Sequence, residues 1–394
     1  MPISISYPGV YVEEVPGGGH TIRGVATSIA LFAGWAACGP VDRTEHVASF
    51  ADYERHYGGL DARSLLGYAV KQFFENGGVD AVVLRVAPGA DGIACDATDP
   101  SFRAALLAAF GPGTITDRID LFNLVCVPGL SDAATIAALQ KHCRDRRAFL
   151  IVDCDHGSTA ADVVASLAGK TGPDAMNSAI FFPWLRAPDP MQQGALRDFP
   201  PCGYVAGVFA RTDVAHGVWK APAGGTAVVN GAAGPRIAVS DAQSGELNTR
   251  AVNCLRSFPG RDTVVWGART LDGANDQGSQ WKYVPVRRLA LHIEESIARG
   301  TRWVVFEPNG EPLWAQVRLV VGAFLHRLFL QGALLGSSPR QAYFVRCDGT
   351  TMTQADIDNG LVNIVVGFAP LRPAEFVIVQ LQQIVAAGRT PSST

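Results

Sequence analysis

The sequence predicts an α/β body flanked by an extended, β-prone arm at each end. Three observations carry that expectation. From about residue 91 to about residue 215, continuous apolar runs alternate with helical patterns, as in a parallel sheet covered on both faces. Residues 1–16 and 376–385 are extended-type runs outside this alternation. The chain is also 48% hydrophobic but only 18% charged. A large core is therefore expected, with a surface that meets protein more than water.

In the first arm, Ile3, Ile5 and Tyr7 alternate with serines, Pro8-Gly9 turns the chain, and Val10 and Val12 flank Tyr11. Gly17, Gly18 and Gly19 follow as a hinge, because consecutive glycines leave the backbone free to rotate. In the last arm, Phe376, Val377, Ile378, Val379 and Leu381 belong to one run after Pro370 and Pro373, and a polar tail expected to be disordered follows Gly388. Such strands leave amides unpaired unless they join a sheet, either as an edge of their own body or on a neighbour.

In the body, strands are expected at 28–33 and 81–86. Between them lie a helix over 50–57, N-capped by Ser49, and an amphipathic helix over 65–75. Residues 24–41 carry no charge but hold several Gly and Pro breakers, so they read as a buried strand with turns and not as a membrane helix. The next module alternates strands (121–127, 149–152, 179–182) with helices (133–144, 159–168, 203–211), the first helix capped by Ser131 or Asp132. Residues 216–280 are rich in turns, with strands expected near 237–239 and 264–266. A helix over 286–299 has an apolar stripe of Val286, Leu289, Ile293 and Ile297. Its polar stripe, Arg288, His292, Glu295 and Arg299, reads as a solvated or inter-subunit face. A buried strand at 303–306 and a long, nearly all-apolar helix over 313–335 complete the body.

Several function classes are excluded. Lys plus Arg number 33 against 36 Asp plus Glu, for a net charge of -3. That balance does not suit a dedicated nucleic-acid or anionic-membrane binder. Cys38, Cys95, Cys126, Cys143, Cys154, Cys202, Cys254 and Cys347 form no Cys-x-x-Cys pair, which points to buried free thiols and a cytoplasmic folding compartment. The N-terminus has neither the basic nor the apolar region of an export signal.

Catalytic signals are sparse. Gly169-Lys170-Thr171 resembles the end of a phosphate loop, but the glycine required five positions earlier is Val164, and the segment follows a helix. A helix C-cap explains it better. Asp153, Asp155 and His156 follow an apolar strand, where open α/β sheets place their sites, and could bind metal or move protons. No zinc-protease, nucleophile-elbow or dinucleotide motif accompanies them.

The wording of several segments resembles the contractile tail sheath family of phage tails, phage-like particles and extracellular injection systems. The matches are residues 7–15 (Tyr-Pro-Gly-Val-Tyr-Val-Glu-Glu-Val) with 22–28, 207–213 with 217–224, 265–271, 283–288, 303–308 and 373–378. They run in family order along almost the whole chain.

The resemblance implies a mixed α+β inner domain, a doubly wound, subtilisin-like α/β middle domain inserted into it, and β-strand arms at both termini. The expected division is 1–20 for the N-terminal arm, 21–90 and 241–370 for the inner domain, 91–240 for the middle domain, and 371–394 for the C-terminal arm and tail. It further implies a non-enzymatic subunit with no cofactor or metal, stacked as hexameric rings around an inner tube and linked by strand exchange. Baseplate and tail-terminator or cap proteins would be its other partners, without nucleic acid or membrane insertion. Assembly would occur in a bacterial cytoplasm, for a phage tail or a released particle. Arg318, Arg327, Asp356 and Asp358 are the candidate tube contacts. The alternatives are an α/β hydrolase-like enzyme using Asp153, Asp155 or His156, and a static lattice or shell protein.

Overall fold

A computed structural model describes residues 20–87, 96–260 and 262–375. The expected arm strands (Ile3, Ile5, Tyr7, Val10, Val12, Phe376, Val377, Ile378, Val379, Leu381) and the hinge Gly17, Gly18 and Gly19 lie outside the described residues.

The chain begins with β1 (Ala30–Gly34), β2 (Glu45–Val47), α1 (Phe50–Tyr57), α2 (Leu66–Glu75), β3 (Ala81–Arg85), α3 (Pro100–Ala109) and β4 (Leu124–Cys126). It continues through α4 (Ala133–Asp145), β5 (Phe149–Asp153), α5 (Ala160–Ala165), β6 (Ser178–Phe182), β7 (Leu185–Asp189), β8 (Ala195–Phe199) and α6 (Cys202–His216). Then come β9 (Gly234–Pro235), α7 (Asp241–Thr249), β10 (Val252–Ser257) and β11 (Thr263–Trp266). The last third comprises α8 (Val284–Gly300), α9 (Glu311–Leu330), α10 (Pro339–Ala342), β12 (Tyr343–Arg346), α11 (Gln354–Asp358) and β13 (Val365–Phe368).

Eight strands form one sheet in the order β11-β10-β6-β5-β4-β1-β3-β2. Pairing is parallel from β10 through β3 and antiparallel at both edges. Successive residues of a strand face opposite sides, so Ala30 and Phe32 join the core under α2 and α6 while Leu31 and Ala33 join the one under α3 and α4. Burial on both faces explains the unbroken apolar runs. Ser49, Asp132 and Thr159 start α1, α4 and α5 by accepting from the amides of Asp52, Thr135 and Asp162. A Cβ on Gly203 would lie 2.5 Å from Ala69 O, so glycine lets α6 cross α2 backbone to backbone.

The sheet unites strands from 21–90 and 241–370, expected to form the inner domain, with strands from 91–240, expected to form the middle domain. A third core, built from α8, α9 and the β12–β13 hairpin, also takes in Ile22 and Val218. The molecule is thus a sheet lobe and a helical lobe, a mixed α+β fold.

Three expectations are corrected. Residues 303–306 are not a buried strand: Arg302–Val304 is a 3-10 turn, and Val305 and Phe306 point outward. A short apolar run does not by itself distinguish the two. Residues 237–239 are irregular, and the nearby pairing is β9 with β7. The long helix stops at Leu330, because Gly332 adopts φ 76 and turns the chain.

Candidate functional site: the inter-lobe seam and the two chain roots

The residues expected to do chemistry diverge. Asp153, at the carboxyl end of β5, is 1% exposed and accepts from the backbone amides of Gly129 and Cys202, both at 2.9 Å. Cys202 opens α6, whose N-cap Pro201 offers no side-chain acceptor. Asp153 therefore caps α6 from a neighbouring strand. Burial pushes its carboxyl up to about 7, against the two amide bonds that favour the charged form. Asp155 only accepts from the Gly157 amide, and His156 joins a surface cluster with Asp198, Arg186 and Arg236. Beside the switch point between β1 and β4, where an open sheet would hold a ligand, a Cβ on Gly129 would lie 3.2 Å from Leu65 and 3.8 Å from Trp184. Lys170 is buried, with Nζ on Ser166 Oγ at 3.1 Å, so the Gly169-Lys170 segment is structural. Among the described residues, no cluster of His, Cys, Asp or Glu could hold a metal.

The polar stripe of α8 is the seam between the lobes, which corrects its reading as a solvated or inter-subunit face. Arg288 and Asp213 on α6 are each 3% exposed at the side chain and form a two-pronged pair at 2.6 and 2.9 Å. The same guanidinium donates to Thr27 O at 2.8 Å and lies over the Phe209 ring. Glu295 accepts from Arg147 at 3.0 Å and from Arg299 at 2.6 Å, and Arg299 reaches Asp120. His292 is buried against Gly24 and Phe324, and burial lowers its pKa to about 4.

The N-terminal end of the described chain is pinned to the helical lobe, and the C-terminal end to Arg269, which follows β11 of the sheet lobe. At the N-terminal root, Ile22 is buried against Gly300, Arg327 donates to Ile22 O, the Val25 amide donates to Ser296 Oγ at 3.1 Å, and His20 stacks on Trp303. At the C-terminal root, buried Arg269 grips Glu375 through two bonds of 2.6 and 2.7 Å. Tyr283, which precedes α8, lies 3.4 Å from the same carboxylate. The roots therefore sit at opposite ends of α8, whose 17 residues span about 25 Å at the usual helical rise. Beside them, β12 and β13 pair only with each other among the described residues.

Of the candidate tube contacts, Arg318 bonds Glu311 at 2.6 Å and also Cys347 O, while Arg327 holds the N-terminal root. Asp356 closes the capping box of α11 with Thr353, and Asp358 accepts from Gln354. The four do not converge into one site.

Family models for the phage tail sheath protein central domain and C-terminal domain match residues 119–271 and 276–384. The sheath of an extracellular contractile injection system (PVC), solved in the contracted state, is 32% identical with a TM-score of 0.77 over 98% of this chain and 99% of its own. The anti-feeding prophage helical sheath, also contracted, is 30% identical with a TM-score of 0.76 over 96% of this chain and 100% of its own. The chain belongs to the contractile tail sheath family. A prophage major tail sheath protein of Pseudomonas aeruginosa is 26% identical over 188 residues; the match spans 46% of this chain and 45% of that relative. A sheath tail protein of Desulfitobacterium hafniense, 12% identical with a TM-score of 0.60, shares the fold over 92% of this chain and 100% of its own.

As a sheath protein, the chain is a structural subunit of a contractile assembly and not an enzyme. Asp213, Arg269 and Glu375 were not singled out from the sequence as site residues, yet each lies in a segment that carries the family resemblance.

Removing one member of a buried ion pair strands the other. Arg288→Ala should therefore cost about 3–5 kcal/mol, measured by urea denaturation, whereas Arg43→Ala at an exposed pair should change little. For Asp153, the folded-state pKa lies above the unfolded value, so the folded chain binds the extra proton. The contribution of Asp153 to stability should be greatest below pH ~4 and fall as the pH rises towards about 7. Asp153→Asn should flatten that slope in denaturation curves recorded from about pH 4 to about pH 8.

Proposed function

We propose that the chain is the repeating subunit of a contractile sheath that stacks as hexameric rings around an inner tube. In this reading the termini are exchanged between copies, and contraction drives the tube through a target envelope. The observation that carries it is the placing of the roots: the described chain begins and ends at opposite ends of α8, and β12 and β13 pair only with each other among the described residues. Arms from neighbouring copies would complete that sheet, each ladder bond adding about 1 kcal/mol net. Repeated around every ring, such ladders outlast the weaker contacts that rearrange. The ion-paired seam keeps the two lobes together as one body during that rearrangement. The extended state would then hold energy stored at assembly, with no nucleotide required.

The helical lobe would form the inner domain and the sheet lobe, of subtilisin-like topology, the outer one. Baseplate and terminator or cap proteins would close the ends of the tube-filled sheath, assembled in a bacterial cytoplasm for a phage tail or released particle. Similarity to contracted sheaths and to an anti-feeding prophage baseplate structure supports this reading.

Chains cut before His20 or after Glu375 should remain folded yet form no contractile sheath by electron microscopy. Normal, contracting sheaths from either would refute strand exchange. Charged contacts suit a sheath that must grip its tube yet assemble on it reversibly. Charge reversal at Arg318, Arg327, Asp356 or Asp358 should yield tube-free polymers for whichever residue touches the tube, and raised salt should weaken wild-type sheath–tube association. Normal tube filling in all four variants would place the contact elsewhere.

A further inference from the structure

We propose that sheath subunits also join head to tail through a knob and a hole at opposite ends of α8. The knob is the tip Val305-Phe306-Glu307 of one copy, and the hole is a pocket beside the C-terminal root of the next. The idea rests on the sheath reading only in requiring that copies meet.

Among the described residues, nothing packs on the knob. Phe306 is 102% exposed and Val305 is 64% exposed, directly after Trp303 and Val304, which pack on the helical core. Phe306 also sits at φ 72, a left-handed backbone that a bulky aromatic rarely adopts. A residue that is both strained and bare is stabilised by nothing in the monomer, and such outliers concentrate at functional contacts. Glu307 follows, its side chain exposed and with no partner among the described residues.

The hole is of matching chemistry. A cavity of about 960 Å³ opens between the start of α8, α7, the end of β11 and the segment 371–375. Trp219, Ala221, Ala223, Trp266 and Tyr283 supply its apolar wall. Two cations at its edge lack carboxylate partners among the described residues: Lys220, which bonds only Ala221 O, and Arg372. The other charges are matched, Arg256 by Asp241 and Glu375 by Arg269. An aromatic tip followed by a free carboxylate therefore complements an aromatic pocket edged by free cations.

The geometry makes the contact heterologous. Tyr283 in the pocket wall precedes α8, and the tip follows its far end, about 25 Å away. Knob and hole on one chain, at opposite ends of one helix, propagate from copy to copy and do not close as a symmetric dimer. The knob adjoins the N-terminal root and the hole the C-terminal root, so this contact would bring together the ends whose arms are exchanged.

The test uses the full chain with Cys38→Ser and Cys95→Ser. Copies carrying only Phe306→Cys, mixed with copies carrying only Ala223→Cys, should oxidise to linked heterodimers. Copies carrying both should give a ladder of trimers and longer species. In parallel, Phe306→Gly should leave the melting temperature unchanged or raise it, since glycine accepts this backbone, while pelletable sheath falls at least about tenfold. Wild-type levels of sheath from Phe306→Gly, or no mixed heterodimer under conditions where the parent chain assembles, would overturn the contact and leave the sheath reading intact. Failure of the wild-type chain to form sheaths would instead defeat that reading, and this proposal with it. If the thiol introduced by Ala223→Cys is shielded from thiol reagents in the monomeric full chain, the pocket belongs to the chain's own residues 376–394, and the proposal is likewise overturned.

Discussion

One guanidinium bridges the two lobes and the N-terminal root. Arg288 joins α8 of the helical lobe, α6 of the sheet lobe and the N-terminal root at Thr27, with Phe209 stacked beneath it. Burying an arginine and an aspartate together is expensive in desolvation, and it holds only when donors and acceptors are well matched. Here the matching partners come from three separate stretches of chain. The arrangement is thus satisfied only when both lobes and the root are in register, so it specifies geometry more than it adds stability. The Arg147, Glu295, Arg299 and Asp120 network extends the same constraint towards the end of α8.

That constraint makes α8 the axis to which the assembly features refer. Its first residues adjoin the Arg269–Glu375 clamp and its last residues adjoin Ile22, so the two ends of the described chain are held at opposite positions. A subunit that moves as a rigid body transmits displacement through such positions without deforming its core, because packed interiors resist continuous deformation. The sheet lobe contributes bulk and stiffness. Leu65 and Trp184 lie against Gly129 beside its switch point, and its buried acid Asp153 is committed to the start of α6. An α/β architecture suited to catalysis here serves as a scaffold.

Much of the fold was legible in the sequence. The strands at Phe149–Asp153 and Ser178–Phe182, the helix Phe50–Tyr57 and its Ser49 cap follow from apolar periodicity and capping chemistry, which act over a few residues. The errors came where local pattern underdetermines the answer. Residues 303–306 carry the apolarity of a strand, but only their packing beside α8 shows that the first two turn inward and the last two outward. The stripe of Arg288, His292, Glu295 and Arg299 carries the polarity of a solvated face, and periodicity cannot tell water from a buried counter-charge.

The sequence by itself determined the alternation of strands and helices, the apolar faces, the absence of a catalytic motif and the family. The segments that carry the resemblance were visible singly, but not as partners. Only the tertiary structure brought 207–213 against 283–288 through Asp213 and Arg288, and 265–271 against 373–375 through Arg269 and Glu375. The reason is physical. Helix, strand and cap signals arise from neighbours along the chain, whereas the partner of a buried charge is chosen by which backbones the folded core places within about 3 Å.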